Sequence, residues 1–290
     1  MSQQASVLLR DLVAHAAKRF SEAGIDSAEV DAELLAGHVL ELSRGGVQTE
    51  MIRGAEISAE QAEQITNLYG RRLNREPLQH ITGTAYFRNL KLQVGRGVFI
   101  PRPETEFVAQ LAIDALRNVA APEPIGVDLG TGSGAIALSM ATEVVNAKIF
   151  AVEKSDDALP FTQKNFDTYA HENAVLVHGD LADAFHELDG KVSVVASNPP
   201  YIPSSAVPRD IEVKLYDPEL ALYGGEDGMQ VMHLVSATAK RLLRSGGFLV
   251  VEHADSQGQQ VCELLLADGW RQVRSHKDLT GRDRAVTAIK

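Results

Sequence analysis

Asp128-Leu129-Gly130-Thr131-Gly132-Ser133-Gly134 is a glycine-rich turn set between an apolar run and a helical one. The apolar run Ile125 to Leu129 has the length and composition of a buried strand, and Ala135-Ile136-Ala137-Leu138 directly after the glycines opens a helix. Glycines at such a turn let the chain bend tightly and let a ligand approach main-chain N–H groups at the helix N-terminus. The next strand ends at Glu153, 19 residues beyond Gly134, where a carboxylate can accept both hydroxyls of a ribose. Together these residues point to a site for an adenosine-containing cofactor at the carboxyl end of a sheet. Two other readings stay open on these residues alone. One is a plain strand-to-helix turn; the other is a dinucleotide site, whose usual fingerprint is Gly-x-Gly-x-x-Gly rather than Gly-x-Gly-x-Gly.

Downstream, strand-like runs recur at Lys148 to Val152, Ala174 to His178, Val192 to Ser197, Gly247 to Glu252, Trp270 to Ser275 and Arg284 to Ile289. Helical patterns lie between most of them, at Ser133 to Thr142, Asp156 to Tyr169, Met229 to Leu243 and Gln257 to Ala267. Alternation of this kind predicts an α/β fold, a mostly parallel sheet covered on both faces. Between Ser197 and Gly228 no helix is expected, and the Pro- and Gly-rich segment there is too long for a simple connection, which marks it as functional. Upstream the period changes. Leu9, Leu12, Val13, Ala16 and Phe20 form one helical stripe, and Val30, Leu34, Leu35, Val39 and Leu42 another. Gly24 ends the first helix, Asp26 or Ser27 caps the second, and Ser58 with Gln61 forms a capping box for a third that carries Ile65, Leu68 and Leu73. His15 and His38 fall in these helices and read as structural or solvated. After Pro77, the residues Ile81, Tyr86, Phe87, Leu90, Leu92 and Val94 are spaced as short strands about the polar turn Arg88-Asn89, so a hairpin is expected to link the two parts.

The chain of 290 residues is longer than one core usually organises, which agrees with a small unit plus a large one. Its 28 Lys and Arg against 39 Asp and Glu give a net charge of -11. Such a balance argues against gripping naked nucleic acid, because that binding neutralises phosphates with cations. No apolar run reaches the ~18 residues of a membrane span, and Met1 to Arg10 lack the pattern of a secretory leader. A single cysteine, Cys262, excludes a disulfide framework. The cytoplasm is the expected compartment, and no membrane partner is expected.

Asn198-Pro199-Pro200-Tyr201 follows the apolar strand Val192 to Ser197. Two consecutive prolines stiffen the backbone and remove two N–H donors, leaving carbonyls as acceptors. The arrangement suits a planar NH2 group: one hydrogen goes to the Asn198 side-chain oxygen and one to the Pro199 carbonyl, while the Tyr201 ring stacks on the flat face of the substrate. Holding both hydrogens turns the nitrogen lone pair toward a sulfonium methyl for in-line displacement, and positioning of this kind can supply ~7 to 11 kcal/mol of a barrier. Neither a metal nor a covalent nucleophile is required. An ordinary turn also accommodates a Pro-Pro pair, but the flanking Asn and Tyr, the preceding strand and the upstream glycine loop favour the chemical reading.

These motifs, with Glu76-Pro77-Leu78-Gln79-His80-Ile81-Thr82-Gly83, Ile100-Pro101-Arg102-Pro103-Glu104-Thr105-Glu106, Gly224-Gly225-Glu226-Asp227-Gly228 and Asp278-Leu279-Thr280-Gly281-Arg282-Asp283-Arg284, resemble the HemK/PrmC family of release-factor glutamine N5-methyltransferases. The resemblance runs from about Arg71 to Arg284 and is specific, since amide and adenine methyltransferases share Asn-Pro-Pro-Tyr but not the Ile-Pro-Arg-Pro-Glu-Thr-Glu segment. It implies a helical domain at residues 1–78 that docks the release factor, a hairpin linker at 79–104, and a seven-stranded Rossmann-like class I methyltransferase domain at 105–290. The implied cofactor is S-adenosyl-L-methionine, with S-adenosyl-L-homocysteine as product. By position Gly130, Thr131, Gly132, Ser133 and Gly134 would lie along its methionine portion, Glu153 on the ribose, Asp180 and Leu181 beside the adenine, and Asn198 at the reacting end. Asn198, Pro199, Pro200 and Tyr201 would carry catalysis, and no metal is implied. The sequence departs from the pattern at Glu153, where the family more often has Asp, at Leu181, which cannot stack as an aromatic would, and at Val251-Glu252-His253-Ala254, which replaces the commoner Glu-Ile-Gly. The alternatives are an adenine-N6 or other nucleic-acid amino methyltransferase, opposed by the acidic charge, and a noncatalytic module, opposed by the intact Asn198 and Tyr201.

Overall fold

The computed structural model describes residues 6–170, 172–208 and 210–290; the opening five residues, on which part of the leader reading falls, lie outside them. Its contacts form two compact units, Met1–Gly83 with Arg209–Tyr216, and Thr84–Pro208 with Asp217–Lys290.

The first unit contains β1 (Ser6–Leu8), α1 (Leu9–Glu22), α2 (Ala28–Leu40), α3 (Arg44–Arg53), β2 (Glu56–Ser58), α4 (Ala59–Leu73) and α5 (Leu78–Thr82). β1 and β2 pair antiparallel. Leu9, Val13, Ala16 and Phe20 bury the expected face of α1 against Leu35, Ile65 and Tyr69, with the Phe20 and Tyr69 rings edge to face at 5.5 Å. The capping box forms at Ser58 and Gln61. α2 departs from its apolar stripe: it buries Asp31 and Glu33, while Leu42 lies beyond its end and is exposed. The reason is pairing. Asp31 meets Arg72 at 2.7 Å with both side chains 5% exposed, and Glu33 accepts from Arg44 and Gln48, so neither carboxylate is buried alone. α3, which supplies Arg44, was not expected. The helix Ile211–Tyr216, which leaves the long segment after Tyr201, belongs to this unit. Its Glu212 accepts from Arg72 at 2.8 Å and from Arg75 at 3.0 Å, and the Tyr216 hydroxyl donates to the Asn74 carbonyl. His15 and His38 are both exposed.

The second unit opens with the hairpin β3 (Thr84–Phe87) and β4 (Leu90–Gln93), followed by α6 (Thr105–Arg117). Then come β5 (Ile125–Leu129), α7 (Ala135–Glu143), β6 (Lys148–Glu153), α8 (Leu159–Tyr169), β7 (Ala174–His178) and β8 (Val192–Ser197). Counting Ile211–Tyr216 as α9, the rest are α10 (Glu219–Leu222), α11 (Gln230–Leu242), β9 (Leu243–Glu252), α12 (Gly258–Ala267), β10 (Arg271–Lys277) and β11 (Asp283–Ile289). β5 to β11 form one seven-stranded sheet in the order β10-β11-β9-β8-β5-β6-β7. The pairs of β5, β6, β7, β8 and β9 are parallel, and β11 is antiparallel to both neighbours. α6, α7 and Phe166 of α8 contribute to one apolar cluster, and α11 and α12 to the other, which covers both faces as the alternation requires. From β5 the chain moves out through β6 to β7, then returns to the other side of β5 for β8 and β9. The carboxyl ends of β5 and β8 therefore flank the topological switch point, where such sheets bind ligands.

Three expectations needed correction here. Ile81 lies in α5 rather than in a strand, because the hairpin starts only at Thr84. The helix α6 was missed, although Val108, Ala109, Ala112, Ile113 and Leu116 bury one helical face. The segment between Ser197 and Gly228, read as free of helix, holds α9 and α10. Among the described residues no helix is long and apolar enough to cross a membrane.

Candidate active site

The glycine loop sits where β5 gives way to α7. Gly130, Gly132 and Gly134 all have positive φ, at 75°, 57° and 88°, a region that costs an L-residue energy and a glycine little. The three serve different ends. A Cβ on Gly134 would lie 3.0 Å from Phe166 and 3.1 Å from Leu138, so this glycine packs the helix onto its neighbour. A Cβ on Gly132 would meet nothing within 4 Å, and one on Gly130 only Leu181 at 4.0 Å. The open surface over Gly130 and Gly132, with Leu181 at its side, is a cradle that larger side chains would fill. The N–H groups of the loop are mostly engaged: Gly130 and Thr131 donate to the Val152 carbonyl, Gly132 to Glu153 and Gly134 to Thr131.

Glu153, at the end of β6, is 7% exposed and accepts from Gly132 N and Ser155 N, each at 2.7 Å. Each carboxylate oxygen keeps a further lone pair, enough for two ribose hydroxyls. Asp180 accepts from Ala182 N and pairs with Lys154 at 2.8 Å, contacts that hold its carboxyl below the usual range. Thr131 donates to Asp128 at 2.6 Å, and Ser133 is buried. Asp128 was not singled out from the sequence. It is 1% exposed; Oδ2 accepts from Thr131 and Ala137, while Oδ1 is buried without a hydrogen-bond partner. A buried acceptor without a partner and a cradle lined by glycine fit a ligand that brings donors or positive charge, as S-adenosylmethionine does.

Beside this loop, on the adjacent strand, β8 runs into Asn198. The Ser197 hydroxyl donates to the Leu129 carbonyl at 2.6 Å and ties the two strand ends together. Pro199 is buried, whereas Asn198, Pro200 and Tyr201 are partly open. The tetrapeptide is braced from behind by the glycines of Gly224-Gly225-Glu226-Asp227-Gly228. Gly224 N donates to the Ile202 carbonyl, and a Cβ on Gly224 would lie 2.4 Å from the Pro200 oxygen. Gly228 has φ of 78°, and a Cβ there would lie 2.3 Å from the Tyr201 oxygen, which also accepts from Gln257 at 3.0 Å.

A buried polar cluster lies beneath the tetrapeptide. Asn198 Nδ2 donates to Thr105 Oγ1 at 3.3 Å, and the Tyr201 hydroxyl donates to Glu252 Oε1 at 3.5 Å. Glu252, at the end of β9, is 1% exposed. Arg284 on β11 pairs with Asp278 at 3.3 Å and acts electrostatically on Glu252, and Arg102 meets Asp217 at 2.7 Å. Thr105, Glu252 and Arg284 stand inside the quoted motifs with no part assigned to them; Thr105 meets Asn198 across 93 residues and Glu252 meets Tyr201 across 51, which leaves no local signal. His253 is fully buried, its Nδ1 shares a hydrogen bond with the Ala254 carbonyl, and burial lowers its pKa, so it is held as a neutral packing residue.

Burial pushes Asp128 and Glu252 each up to about 7. Between about pH 4 and that value the folded chain holds protons that the unfolded chain releases, so these two groups make stability fall as pH rises through this window and add no further change above it. Asp128→Asn should flatten part of that fall. The check is the urea midpoint of the cofactor-free protein at about pH 5 and about pH 7.5; an equal drop in parent and variant would mean that Asp128 is ionised throughout.

Fold and site define a Rossmann-like methyltransferase. Residues 11–83 match the model of the PrmC N-terminal domain and residues 90–217 that of the methyltransferase small domain. The release factor glutamine methyltransferase of Streptomyces coelicolor is 48% identical over 98% of this chain and 98% of its own. That of Bifidobacterium longum is 40% identical over 98% of this chain and 100% of its own. The chain belongs to the release factor glutamine methyltransferase family. Among solved structures it is similar to the ribosomal protein L11 methylase of Lactobacillus delbrueckii subsp. bulgaricus, at 16% identity and a TM-score of 0.46 over 69% of this chain and 84% of that one.

Proposed function

We propose that this chain methylates the side-chain amide nitrogen (N5) of the glutamine in the Gly-Gly-Gln tripeptide of peptide chain release factors. The observation that carries the reading is adjacency: Asn198-Pro199-Pro200-Tyr201 leaves β8 next to the glycine loop that leaves β5, at the switch point of one sheet. When bound, S-adenosyl-L-methionine supplies an electrophilic methyl group and departs as S-adenosyl-L-homocysteine. Gly130, Thr131, Gly132, Ser133 and Gly134 shape the cradle for its methionine portion, Glu153 accepts from the ribose hydroxyls, and Asp180 and Leu181 flank the adenine. The Asn198 side-chain oxygen and the Pro199 carbonyl accept the two amide hydrogens. Pro200 keeps that backbone stiff, and the Tyr201 ring covers the flat face of the amide. As the new N–C bond forms, one N–H proton leaves to solvent. The helical unit docks the protein substrate, in the cytoplasm where termination takes place.

Labelled methyl transfer tests the reading, with a purified release factor and single-stranded DNA offered side by side. Label should enter the release factor alone; label in DNA alone would move the function to nucleic-acid amino methylation. On the cofactor side, Glu153→Ala should weaken S-adenosylmethionine binding by ~1.5 to 3 kcal/mol, the scale of hydrogen bonds to a charged group. Calorimetry reads this directly, and unchanged affinity would place the ribose contact on another residue.

A further inference from the structure

β10 and β11 are packed by a helix on one face. α12 lies on both of them from the side of the second apolar cluster, whereas α6, on the other side, packs on β8 and β9. Beyond α6 a groove of about 490 Å³ opens along that face, a size within the range of small-molecule sites. Leu111 and Ala115 of α6 and Phe248 of β9, each partly buried against the core, form its apolar floor. Ser193 of β8 also lines it; this residue is 5% exposed, and no hydrogen bond among the described residues engages its hydroxyl.

The rim carries Arg244, Arg274 and His276. Arg274 and His276 are two apart on β10 and share a face, and His276 Nε2 lies 2.8 Å from Thr287 Oγ1. Burial and the neighbouring Arg274 charge lower the pKa of His276. Among the described residues neither Arg244 nor Arg274 has an ion pair, although the chain carries 39 acids against 28 Lys and Arg. By contrast Arg271 donates to the Lys290 carbonyl at 2.6 Å, and Asp114, the acid of the lining, accepts from Gln110 at 2.8 Å and lies 3.8 Å from Arg117. A lone exposed arginine needs only water. Cations gathered on the rim of one groove repel one another, and an anion placed among them relieves that repulsion while forming charge-assisted hydrogen bonds.

We infer that this groove is a binding site for a small organic anion with an apolar body, an alkyl or aryl phosphate or carboxylate. The guanidinium groups of Arg244 and Arg274 take the anionic end, in the forked geometry that suits both phosphate and carboxylate. The body lies on Leu111, Ala115 and Phe248, and the Ser193 hydroxyl is left to a polar atom of the ligand. A bare phosphate would leave the apolar floor wet, so the body is part of the recognition. The site stands apart from methyl transfer. Ser193 precedes Asn198 on one strand by ~16 Å, at ~3.3 Å per residue, and the groove lies at the amino ends of β8 and β9, whereas the tetrapeptide leaves a carboxyl end.

The test is calorimetric titration of the full chain with octyl phosphate as the probe, the cofactor site being occupied by saturating S-adenosylhomocysteine. One octyl phosphate should bind per chain, with a dissociation constant below ~1 mM. Butyl phosphate should bind at least about 10-fold more weakly, because four methylenes fewer are buried, and octanol and inorganic phosphate more weakly still. The double variant Arg244→Gln with Arg274→Gln should also lose at least about 10-fold for octyl phosphate, while its unfolding midpoint and its affinity for S-adenosylhomocysteine stay at the parent values. Unchanged affinity in the double variant, or equal affinity for octanol and octyl phosphate, would overturn the site. So would capture of the chain by phosphatidylglycerol vesicles without binding of octyl phosphate, which would make the cations a membrane-facing patch.

Discussion

Replacing Asn198 with Ala is expected to lower methyl transfer by about 100-fold or more, the range in which errors of positioning fall, with a much smaller change in cofactor affinity. Two losses combine. One hydrogen of the acceptor amide loses its partner at a buried site, worth ~1 to 3 kcal/mol, and the nitrogen is freed to rotate away from the line of attack. Asn198→Asp keeps an acceptor oxygen and should retain measurable activity. Single-turnover methylation with cofactor binding on the same samples separates these effects from a loss of the cofactor site. A rate for Asn198→Ala within a few-fold of the parent would mean that the clamp is not what positions the amide.

Gly224→Ala is expected to have the second largest effect, although Gly224 touches neither cofactor nor substrate in the proposed mechanism. Its added Cβ would lie 2.4 Å from the Pro200 oxygen and 2.6 Å from the Gly228 oxygen, whereas real contacts essentially never fall under 3.0 Å. Both obstacles are backbone, so the tetrapeptide must retreat by roughly 0.6 Å, the difference between 3.0 and 2.4 Å. A displacement of about 1 Å can cost ~100-fold in rate, which places Gly224→Ala at about 10- to 100-fold. The loss should fall on turnover rather than on cofactor affinity, because the glycine loop of β5 is not moved. Normal turnover in a folded Gly224→Ala protein would show that Pro200 can shift without cost to the reaction.

How much of this was legible in the sequence depends on whether the relevant residues are neighbours along the chain. The strands Ile125–Leu129, Ala174–His178 and Val192–Ser197 were read with their observed bounds, since each is a short run between polar or glycine-rich turns. The two motifs that suggested a cofactor and a planar NH2 group are each contiguous, and each follows directly on an apolar strand run. The missed features come from distant contacts. α2 buries Asp31 because Arg72, 41 residues away, answers it. Thr105 meets Asn198 across 93 residues, and Tyr201 meets Glu252 across 51. Glu252 ends an apolar strand, where a carboxylate reads as the first solvent-facing residue; only the fold encloses it. Gly224-Gly225-Glu226-Asp227-Gly228 carries a resemblance in the sequence but no reason for its glycines; Gly224 and Gly228 are needed because the Pro200 and Tyr201 carbonyls leave no room for a Cβ.

Transfer of a methyl group to a glutamine side-chain nitrogen is read by locating the modification. A purified release factor is incubated with the protein and S-adenosylmethionine, digested, and sequenced by tandem mass spectrometry, with a parallel sample in which the glutamine of Gly-Gly-Gln has been replaced. A single added methyl is expected on the side-chain amide of that glutamine, absent from the replaced substrate and from reactions with Asn198→Ala at the same time point. Methylation at any other residue, or equal methylation of the substrate lacking the glutamine, would contradict it.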